Sequence, residues 1–487
     1  MNKYNDTSYS LLTDFYELTM AQSYFDHGKE DVIAGFDLFY RTNPDDANFS
    51  IMGGTAEVID YIKNLEFSNS DIEYLASLNT FSTDFLDYLR HFEFTGDIWA
   101  VPEGTVIFPN EPLIKVKAPI IEAQLIETFL ILVVNRGCLF TTKANRIARQ
   151  ISKDDILLEF GARRAQGLDI PVFAPRYAYI GGFDATSSTI AGKRFGIPVS
   201  GTMAHSYVMA FDDEYSAFEH YCQSFPDNAV LLVDTFDTIK LGIPNAIKAF
   251  DQVLKPLGKK PVGIRLDSGD LADLSKKSRK LLDDGGYPDC KIFVSNSLDE
   301  ELVQSLKFQN AEIDGFGIGE RFATSKSSPV FGTVYKLAYI IKPDGTVINK
   351  IKLSDNPQKM TNPGDKKIFR IYDHNNKAYA DILMLASETI NSNNKITFFN
   401  ELFPSQLTTF QTGDYSVKEL LVPIFKNGKQ VYTSPALDSI KEHCKEEIDA
   451  LYPGVKRLKN PHKYYVDLSH KLLSLKKLLI KDTKNKY

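Results

Sequence analysis

Residues 265–270 form the densest polar cluster of this 487-residue chain, with the sequence RLDSGD. Side chains alternate between the two faces of a strand, so a strand that begins at Val262 directs Arg265 and Asp267 to the same side. A buried guanidinium requires an anion, and its planar fork suits a carboxylate or a phosphate. Two interpretations remain open: a structural ion pair with Asp267 or a neighbouring carboxylate, or a site for an anionic ligand.

Two other groups that could do chemistry follow short apolar or glycine-containing runs. Asp234 ends the run AVLLVD, where a carboxylate can bind Mg²⁺ through water, stabilise a developing cation or cap the next helix. His205 lies in GTMAHS (201–206), just after a Gly-Thr turn. A histidine at that place is either a packing or surface group, or an acid, base or nucleophile.

The run FGIG at 316–319 adds backbone N–H groups that no side chain shields, and phosphate binds surfaces of this kind. Arg163, Lys193 and Arg265 add positive charge in a protein that is acidic as a whole. Together these groups favour a phosphorylated small molecule as the ligand.

Seven short β-type runs between residues 155 and 320 would position these groups. Helix-like segments such as Ile239–Leu254 and Leu271–Leu282 separate them, and this alternation predicts parallel βαβ units. Their number and spacing favour a (β/α) barrel, whose functional loops lie at the C-terminal ends of the strands. A doubly wound open sheet is the alternative. The runs are Ile156–Gly161, Ala178–Asp184, Ile197–Gly201, Ala229–Asp234, Val262–Asp267, Ile292–Asn296 and Ile313–Gly319.

The segments on either side of this region have a different pattern. Apolar spacing predicts helices over Leu11–Phe25 and Ile120–Ile151, and a strand over Val32–Tyr40. After residue 340, alternating runs such as Ile368–Tyr372 predict an antiparallel sheet. Six lysines alternate with leucines in the tail 471–486, which predicts an amphipathic helix on the protein's own surface.

Composition excludes several classes of protein. The 56 Lys and Arg residues against 63 Asp and Glu give a net charge of −7, which argues against a dedicated nucleic-acid binder. The four cysteines are far apart and form no CxxC pair, so we expect reduced thiols. No run of 18 apolar residues and no signal-peptide core is visible. We therefore expect a soluble, cytoplasmic protein that acts on a small molecule and binds neither nucleic acid nor membrane.

Distinctive segments occur in order over most of the chain. They are LTDFY (12–16) with Met20-Ala21, EFGAR (159–163), GGFDATS (181–187), GTMAHS (201–206), DTFDT (234–238), IRLDSGDL (264–271), VSNSLD (294–299), GIG (317–319) and GTVYKL (332–337). Through these segments together the chain resembles the nicotinate phosphoribosyltransferase family, and no single motif carries the resemblance.

The resemblance implies an α/β fold: an irregular (β/α) barrel of the type II phosphoribosyltransferase kind, with an α/β sandwich domain built from the N- and C-terminal parts. Residues 1–140 would form the N-terminal sandwich domain and 141–340 the catalytic barrel. Residues 341–487 would complete the sandwich and end in the helical, lysine-rich tail. The resemblance also implies a homodimer whose active sites lie at the subunit interface.

The implied reaction joins nicotinate to phosphoribosyl pyrophosphate and gives nicotinate mononucleotide and pyrophosphate, in the salvage route of NAD biosynthesis. ATP hydrolysis would be coupled to it through a phosphohistidine at His205, with ATP as co-substrate and Mg²⁺ as cofactor. Asp234 and Asp267 would complete the catalytic set, because carboxylates can stabilise an oxocarbenium-like cation or hold Mg²⁺.

Substrate contacts carry over to the positions that match the family. Phe160 and Tyr16 would sandwich the nicotinate ring, with Tyr16 supplied by the other subunit, while Arg265 and Thr202 hold the carboxylate. After Gly319 the chain reads ERFAT (320–324), where relatives often have a small hydroxyl residue next, so the phosphate contact passes to Thr324 or to backbone. The remaining implied substrate contacts are Arg163, Asp184, Ser295, Asn296, Gly317 and Gly319.

Three alternatives to this function remain. A nicotinamide-preferring phosphoribosyltransferase shares the architecture, but GTMAHS and the short loops are closer to the nicotinate enzymes. A non-catalytic nucleotide-binding sensor is disfavoured because His205, Asp234 and Arg265 are intact. An aldolase-like barrel needs a reactive lysine at a strand end, and none of the seven runs places one there.

Overall fold

The computed structural model describes residues 9–354, 359–391, 394–400 and 407–486. The chain divides into two compact units: Met1–Leu139 with Val330–Tyr487 form the first, and Phe140–Pro329 form the second. Over the described ranges, no helix is both long enough and apolar enough to span a lipid bilayer. All four cysteines are buried free thiols.

The N-terminal part of the first unit combines helices with short strands. Two of its helices begin at serines whose hydroxyl accepts a backbone N–H, Ser68 from Asp71 and Ser82 from Phe85. The elements are α1 (Phe15–Asp26), β1 (Ile33–Phe39), β2 (Ser50–Ile51), α2 (Thr55–Lys63), α3 (Asn69–Ser77), α4 (Thr83–Arg90), β3 (Asp97–Ala100), β4 (Val106–Ile107), β5 (Ile114–Pro119), α5 (Ile120–Leu125) and α6 (Glu127–Ala148).

In the second unit, short buried strands alternate with helices. π-helical turns at Thr238–Gly242 and Phe250–Leu254 flank one of these helices. The elements are β6 (Ile156–Glu159), α7 (Ile170–Ile180), β7 (Ala185–Thr186), α8 (Thr189–Phe195), α9 (His205–Met209), α10 (Glu214–Ser224), β8 (Val230–Leu232), α11 (Ile243–Ala249), β9 (Gly263–Leu266), α12 (Leu271–Asp284), β10 (Lys291–Ser295), α13 (Glu300–Phe308), β11 (Gly315–Ile318) and α14 (Glu320–Ala323).

The C-terminal part of the first unit is rich in strands and ends in a helix that covers the lysine-rich tail. The elements are β12 (Val334–Ile341), β13 (Val347–Asn349), β14 (Lys366–Asp373), β15 (Ala378–Leu385), β16 (Ile396–Phe399), β17 (Leu407–Phe410), β18 (Tyr415–Glu419), β19 (Val422–Lys426), β20 (Lys429–Gln430), α15 (Leu437–Ala450), β21 (Tyr465–Leu468) and α16 (His470–Lys486).

Strand pairing joins the two ends of the chain in the first unit. One antiparallel sheet has the order β13-β12-β1-β5-β3-β19-β20, so β1 pairs with β12 and β3 with β19. A second sheet has the order β17-β16-β21-β15-β14-β18. Leu472 and Leu473 of α16 pack on Leu383 and Leu468 of that second sheet. The fold is therefore α/β, with a sheet domain built from both ends of the chain.

The parallel strands of the second unit form an irregular barrel. Their order is β8-β9-β10-β11-β6-β7, so the pairing of β11 with β6 brings the last strand next to the first. Thr186 of β7 forms an isolated bridge with Val199. Among the described residues no strand pairing links Val199 to β8, and the barrel is open on this side.

Small residues on neighbouring strands make room for a large side chain in the barrel lumen. Leu158, Ala185, Val230 and Phe293 form an apolar cluster there. A Cβ atom on Gly315 would lie 2.4 Å from Cδ1 of Phe293. Glycine at 315 thus leaves the space that this ring occupies.

Three details differ from the sequence predictions. The predicted strand Ala178–Asp184 is wrong, because Ala178–Ile180 end α7 and the strand begins at Ala185. The run at 197–201 forms only the bridge at Val199. The predicted barrel boundary at residue 340 falls too late, because β12 already pairs with β1 of the first unit.

Candidate functional site

His205 and Asp234 form a hydrogen-bonded pair at the C-terminal end of the barrel strands. Asp234 follows β8, and His205 begins α9. Nε2 of His205 lies 3.1 Å from Oδ1 of Asp234. The aspartate side chain is 2% exposed and the imidazole 40% exposed. Because a carboxylate can only accept, Nε2 carries a proton in this hydrogen bond, and in the neutral imidazole Nδ1 then carries the lone pair.

The second oxygen of Asp234 joins the loops that follow two neighbouring strands. Oδ2 accepts a hydrogen bond of 2.8 Å from the backbone N–H of Asp267 and one of 2.6 Å from the Ser268 hydroxyl. The helix-capping role that the sequence left open for Asp234 belongs to Asp237, whose Oδ1 accepts from Ile239 and Lys240. Asp234 therefore organises the site.

Arg265 projects from β9 and connects three other predicted residues. Its Nη2 donates to Oδ1 of Asp267 at 2.9 Å, its Nε to the Ser295 hydroxyl at 2.9 Å, and its Nη1 to the Thr202 hydroxyl at 3.0 Å. The Ser295 hydroxyl also donates to Asp267. Three N–H groups of the guanidinium are used and its others remain for a ligand. Arg265 therefore forms the structural pair with Asp267, and its role in binding an anion stays a prediction.

A cavity of about 400 Å³ extends from Arg265 into the barrel lumen. Phe160, Tyr221 and Phe293 contribute to its apolar wall, and Arg265 is the one charged side chain among the described residues that line it. The guanidinium carbon of Arg265 lies 5.6 Å from the centroid of the Phe160 ring. A Cβ atom on Gly317 would lie 2.6 Å from that ring, so glycine is needed there. The cavity suits a flat ring with an anionic group.

Glu159 is a buried carboxylate that the sequence analysis did not select as a site residue. It accepts hydrogen bonds from the backbone N–H of Gly161 and, at 2.6 Å, from the Thr186 hydroxyl. Burial raises its pKa, and these two donors oppose the rise. Glu159 thus fixes the start of the loop that carries Phe160. The sequence feature that could have identified Glu159 is a single carboxylate at the end of the otherwise apolar strand β6.

The other loop residues lie at the ends of β10, β11 and β6. Asn296 is exposed and has a positive φ of 94°, and Gly319 precedes α14. The Thr324 hydroxyl donates to the carbonyl of Glu320 at 2.8 Å, so this hydroxyl is hydrogen-bonded within its own helical turn. Arg163 is exposed in a short turn after β6.

Asp184 lies at the opposite end of the strands, which contradicts its predicted role as a substrate contact at this site. Its carboxylate accepts from the backbone N–H of Leu157 at 2.9 Å, and its own N–H donates to the carbonyl of Leu157. Leu157 is near the start of β6, whereas Phe160 and His205 follow strand ends. The described contacts of Asp184 therefore support the beginning of β7.

Tyr16 belongs to the first unit, on α1, and its side chain is 47% exposed. Partial burial raises the pKa of its hydroxyl, and the carboxylates of Glu127, Glu17 and Asp14 add to this rise. The hydroxyl of Tyr16 therefore stays protonated at neutral pH. Its predicted contact with a partner subunit's site stays a prediction.

The carboxylates of the site fit a Mg²⁺ ion that arrives with phosphate groups. In the described part of the chain, no group of three or more His, Cys, Asp or Glu side chains is arranged to hold a metal. Asp234 already accepts three hydrogen bonds, whereas the Asp267 side chain is 26% exposed. Mg²⁺ commonly binds one or two carboxylates together with substrate phosphates. The carboxylates of Asp234 and Asp267 can provide the protein's share of these oxygen ligands.

Three family models match the chain. The nicotinate phosphoribosyltransferase (NAPRTase) N-terminal domain matches residues 11–135, the NAPRTase family matches 156–382, and the nicotinate phosphoribosyltransferase C-terminal domain matches 365–476. The nicotinate phosphoribosyltransferase of Bacillus subtilis is 41% identical over 486 residues, which cover 99% of this chain and 97% of the relative. That of Caenorhabditis elegans is 34% identical, with 97% and 93% covered.

Solved structures agree with these matches. Human nicotinic acid phosphoribosyltransferase superposes with a TM-score of 0.83 at 28% identity, over 96% of this chain and 100% of that one. A nicotinate-nucleotide pyrophosphorylase from Pyrococcus furiosus superposes with a TM-score of 0.70 at 21% identity, over 92% and 97%, and shows a shared fold.

Proposed function

This chain belongs to the nicotinate phosphoribosyltransferase family, and on that premise we propose that it joins nicotinate to phosphoribosyl pyrophosphate. The pyridine nitrogen forms a bond to C1′ of the ribose, the bond from C1′ to the pyrophosphate oxygen breaks, and nicotinate mononucleotide and pyrophosphate are released. The observation that carries the proposal is a single arginine at the end of an apolar cavity.

Nicotinate fits this cavity by shape and by charge. Its flat ring would lie against Phe160, and its carboxylate would accept hydrogen bonds from the unused N–H groups of Arg265 and from Thr202. Nicotinamide has the same ring but no charge, so it would gain less from a guanidinium. The arrangement therefore favours the acid over the amide.

The carboxylates beside Arg265 would act on the ribose. Transfer at C1′ passes through a cation that Asp234 and Asp267 can stabilise, and the buried position of Asp234 strengthens this effect. Ser295, Asn296 and the backbone at Gly317 and Gly319 are the groups proposed to hold the ribose phosphate. When bound, Mg²⁺ supplies charge neutralisation for the pyrophosphate, and Asp234 and Asp267 are the residues that would hold it.

We further propose that His205 couples the reaction to ATP, as part of NAD salvage. Nδ1 of His205 would attack the γ-phosphorus of ATP, the bond from that phosphorus to the β–γ bridging oxygen would break, and ADP would leave. The hydrogen bond from Nε2 to Asp234 supports this role, because it favours the neutral tautomer in which Nδ1 carries the lone pair. Water would later remove the phosphoryl group and restore the imidazole.

The test is release of pyrophosphate from phosphoribosyl pyrophosphate and Mg²⁺ with nicotinate or nicotinamide, with and without ATP. We expect release with nicotinate, and faster release with ADP formation when ATP is added. A preference for nicotinamide, or tight binding without release, would overturn the proposal. Full ATP coupling in His205→Ala would overturn the phosphohistidine alone.

Arg265→Met tests the seat proposed for the carboxylate. Loss of a charged hydrogen bond should raise the KM for nicotinate by about 10–100-fold. The uncharged nicotinamide should show a much smaller change in KM. Arg194→Met, which removes an exposed arginine of α8, should leave both values unchanged. Equal losses for both substrates would remove Arg265 as the specificity group.

A further inference from the structure

A second cavity, of about 350 Å³, lies in the first unit. The start of β15 and the loop between α15 and β21 line it. None of the residues assigned to the proposed reaction belongs to it. Its lining contains aromatic and basic side chains that have no role in the proposed reaction.

The loop that forms most of this wall is held in place by its own contacts. Val455 and Leu458 are buried, with 3% and 7% of their surface exposed. The backbone N–H of His462 donates to the carbonyl of Gly454 at 2.8 Å, which closes the loop. The wall is therefore preformed, and a ligand would not have to order it.

The lining combines aromatic rings with positive charge. Four tyrosines and three basic residues contribute to it: Tyr379, Tyr452, Tyr464, Tyr465, Arg457, His462 and Lys463. The hydroxyls of Tyr452 and Tyr464 already donate to Asp373 and Asp381, and the buried ring of Tyr464 is stacked on Phe108. The more exposed rings of Tyr379 and Tyr452 are therefore the parts left for a ligand. Of the described residues that line this cavity, none is a carboxylate.

The charge around the cavity is positive although the whole chain is acidic. The segment 452–465, YPGVKRLKNPHKYY, contains four lysine or arginine residues and no Asp or Glu, in a protein with a net charge of −7. Arg457 and Lys463 are exposed at the cavity. Within the described ranges, neither forms a direct ion pair, although burial raises the pKa of Asp467 and the charge of Lys463 opposes this rise. Such side chains are available to phosphate oxygens.

We propose that this cavity binds a nucleotide, with the base stacked on tyrosine rings and the phosphates held by Arg457 and Lys463. Aromatic rings select a flat base, and the two cations select an anion, so a nucleotide satisfies both. The closed loop and limited volume fit one nucleotide better than a strand of RNA. The site would bind its ligand whether or not the barrel catalyses the proposed reaction.

Hydrogen exchange with saturating ATP provides a local test of this proposal. We expect ATP to slow exchange in peptides that cover 452–465, both in the wild-type chain and in the control Lys471→Gln/Lys481→Gln, which removes two exposed lysines of α16. In Arg457→Gln/Lys463→Gln that protection should disappear, and equilibrium dialysis with labelled ATP should lose one site per chain. Protection confined to barrel peptides would overturn the proposal.

The stacking part of the proposal has its own test. Tyr379→Leu should weaken ATP binding at this loop by at least about 10-fold, while Tyr379→Phe, which keeps the ring, should retain it. Inorganic triphosphate should protect the loop much more weakly than ATP. Equal protection by triphosphate, or protection by single-stranded RNA alone, would overturn the assignment to a nucleotide. If Tyr379→Leu does not fold, the comparison of triphosphate with ATP still decides.

Discussion

Three hydrogen bonds converge on the carboxylate of Asp234, from His205, Asp267 and Ser268. In Asp234→Asn, the amide nitrogen takes the place of one carboxylate oxygen, so at least one of these bonds is lost or has to reverse its direction. We expect the rate of pyrophosphate formation to fall by about 100-fold or more, because a preorganised charge beside the reacting centre is removed. Steady-state assays would measure this fall.

The control for that variant is Asp212→Asn, which changes an exposed carboxylate outside the site. It should retain the wild-type rate. An undiminished rate in Asp234→Asn would contradict any catalytic role for this residue.

Gly317 lies where a larger side chain should lower the stability of the fold. A Cβ atom there would lie 2.6 Å from the Phe160 ring and 3.3 Å from Cβ of Ser295. Gly317→Ala should therefore destabilise the fold by about 1–3 kcal/mol, the usual cost of overpacking. Gly201→Ala is the matched control, since a Cβ atom at Gly201 meets nothing within 4 Å. Urea unfolding of both variants checks the difference, and equal stabilities would show that Phe160 moves freely.

Residue chemistry alone identified some site residues and misplaced others. Arg265 and Asp267 were expected on one side of a strand, and they do form an ion pair. Asp184 followed the same rule of polar residues after apolar runs, yet it lies at the other end of the strands. The rule failed there because the run before Asp184 is the end of a helix, and a short apolar run does not distinguish helix from strand.

At the scale of elements, α1 is attached through a buried carboxylate. Glu17 is fully buried and accepts a hydrogen bond of 2.6 Å from the Thr128 hydroxyl. Burial raises its pKa from 4.5 to about 7, with a smaller contribution from the carboxylates of Glu127 and Asp14 and against the bonds from Thr128 and Thr13. The native state therefore binds a proton that the unfolded chain releases between these two values.

Stability should fall as the pH rises through that window and stay level above it. Glu17→Gln removes the titrating group, so its stability relative to the wild type should increase between pH 4.5 and pH 7, by up to about 3 kcal/mol. Glu127, whose pKa burial also raises, is present in both proteins. Denaturant unfolding at pH 5 and pH 8 measures the effect, with the exposed Glu73→Gln as control. A difference that does not depend on pH would mean that Glu17 does not titrate in this range.

Elements with a long, consistent pattern were predictable, and those defined by distant partners were not. The helical pattern over 120–151 corresponds to α5 and α6, and Val32–Tyr40 contains β1. The run at 197–201 looks like the other barrel strands, but its pairing is limited to the bridge between Val199 and Thr186. Pairing depends on backbone partners far along the chain, which a local pattern does not report.

The same limit applies to the whole molecule. The local alternation of strand-like and helix-like runs predicted an α/β fold. It gave no sign that β1 pairs with β12 about 300 residues later, although this contact assigns residues 330–340 to the first unit. The family resemblance supplied the two-ended sheet domain, because it refers to a complete arrangement rather than to a window of sequence.

The family resemblance implies a homodimer with shared sites, and this arrangement can be tested only on the assembled molecule. If Tyr16 serves the barrel of the partner subunit, Tyr16→Ala and Asp234→Asn are defective in different parts of one composite site. A mixed dimer then contains one site in which both residues are intact and one in which both are changed. If equal amounts of the two variant chains assemble at random, half of the dimers are mixed, and each of these has one complete site of its two. About a quarter of the wild-type rate should therefore return.

Co-expression of the two variants with different affinity tags, followed by two-step purification, gives the mixed dimer directly. Its expected rate is about half that of the wild type per dimer, since one of its two sites is complete. The control is a dimer that carries both substitutions in the same chain, paired with a wild-type chain. In that dimer each site has one defect, so its rate should remain low although the number of substitutions is the same. If the control is the more active of the two, Tyr16 acts within its own subunit and the shared site is disproved.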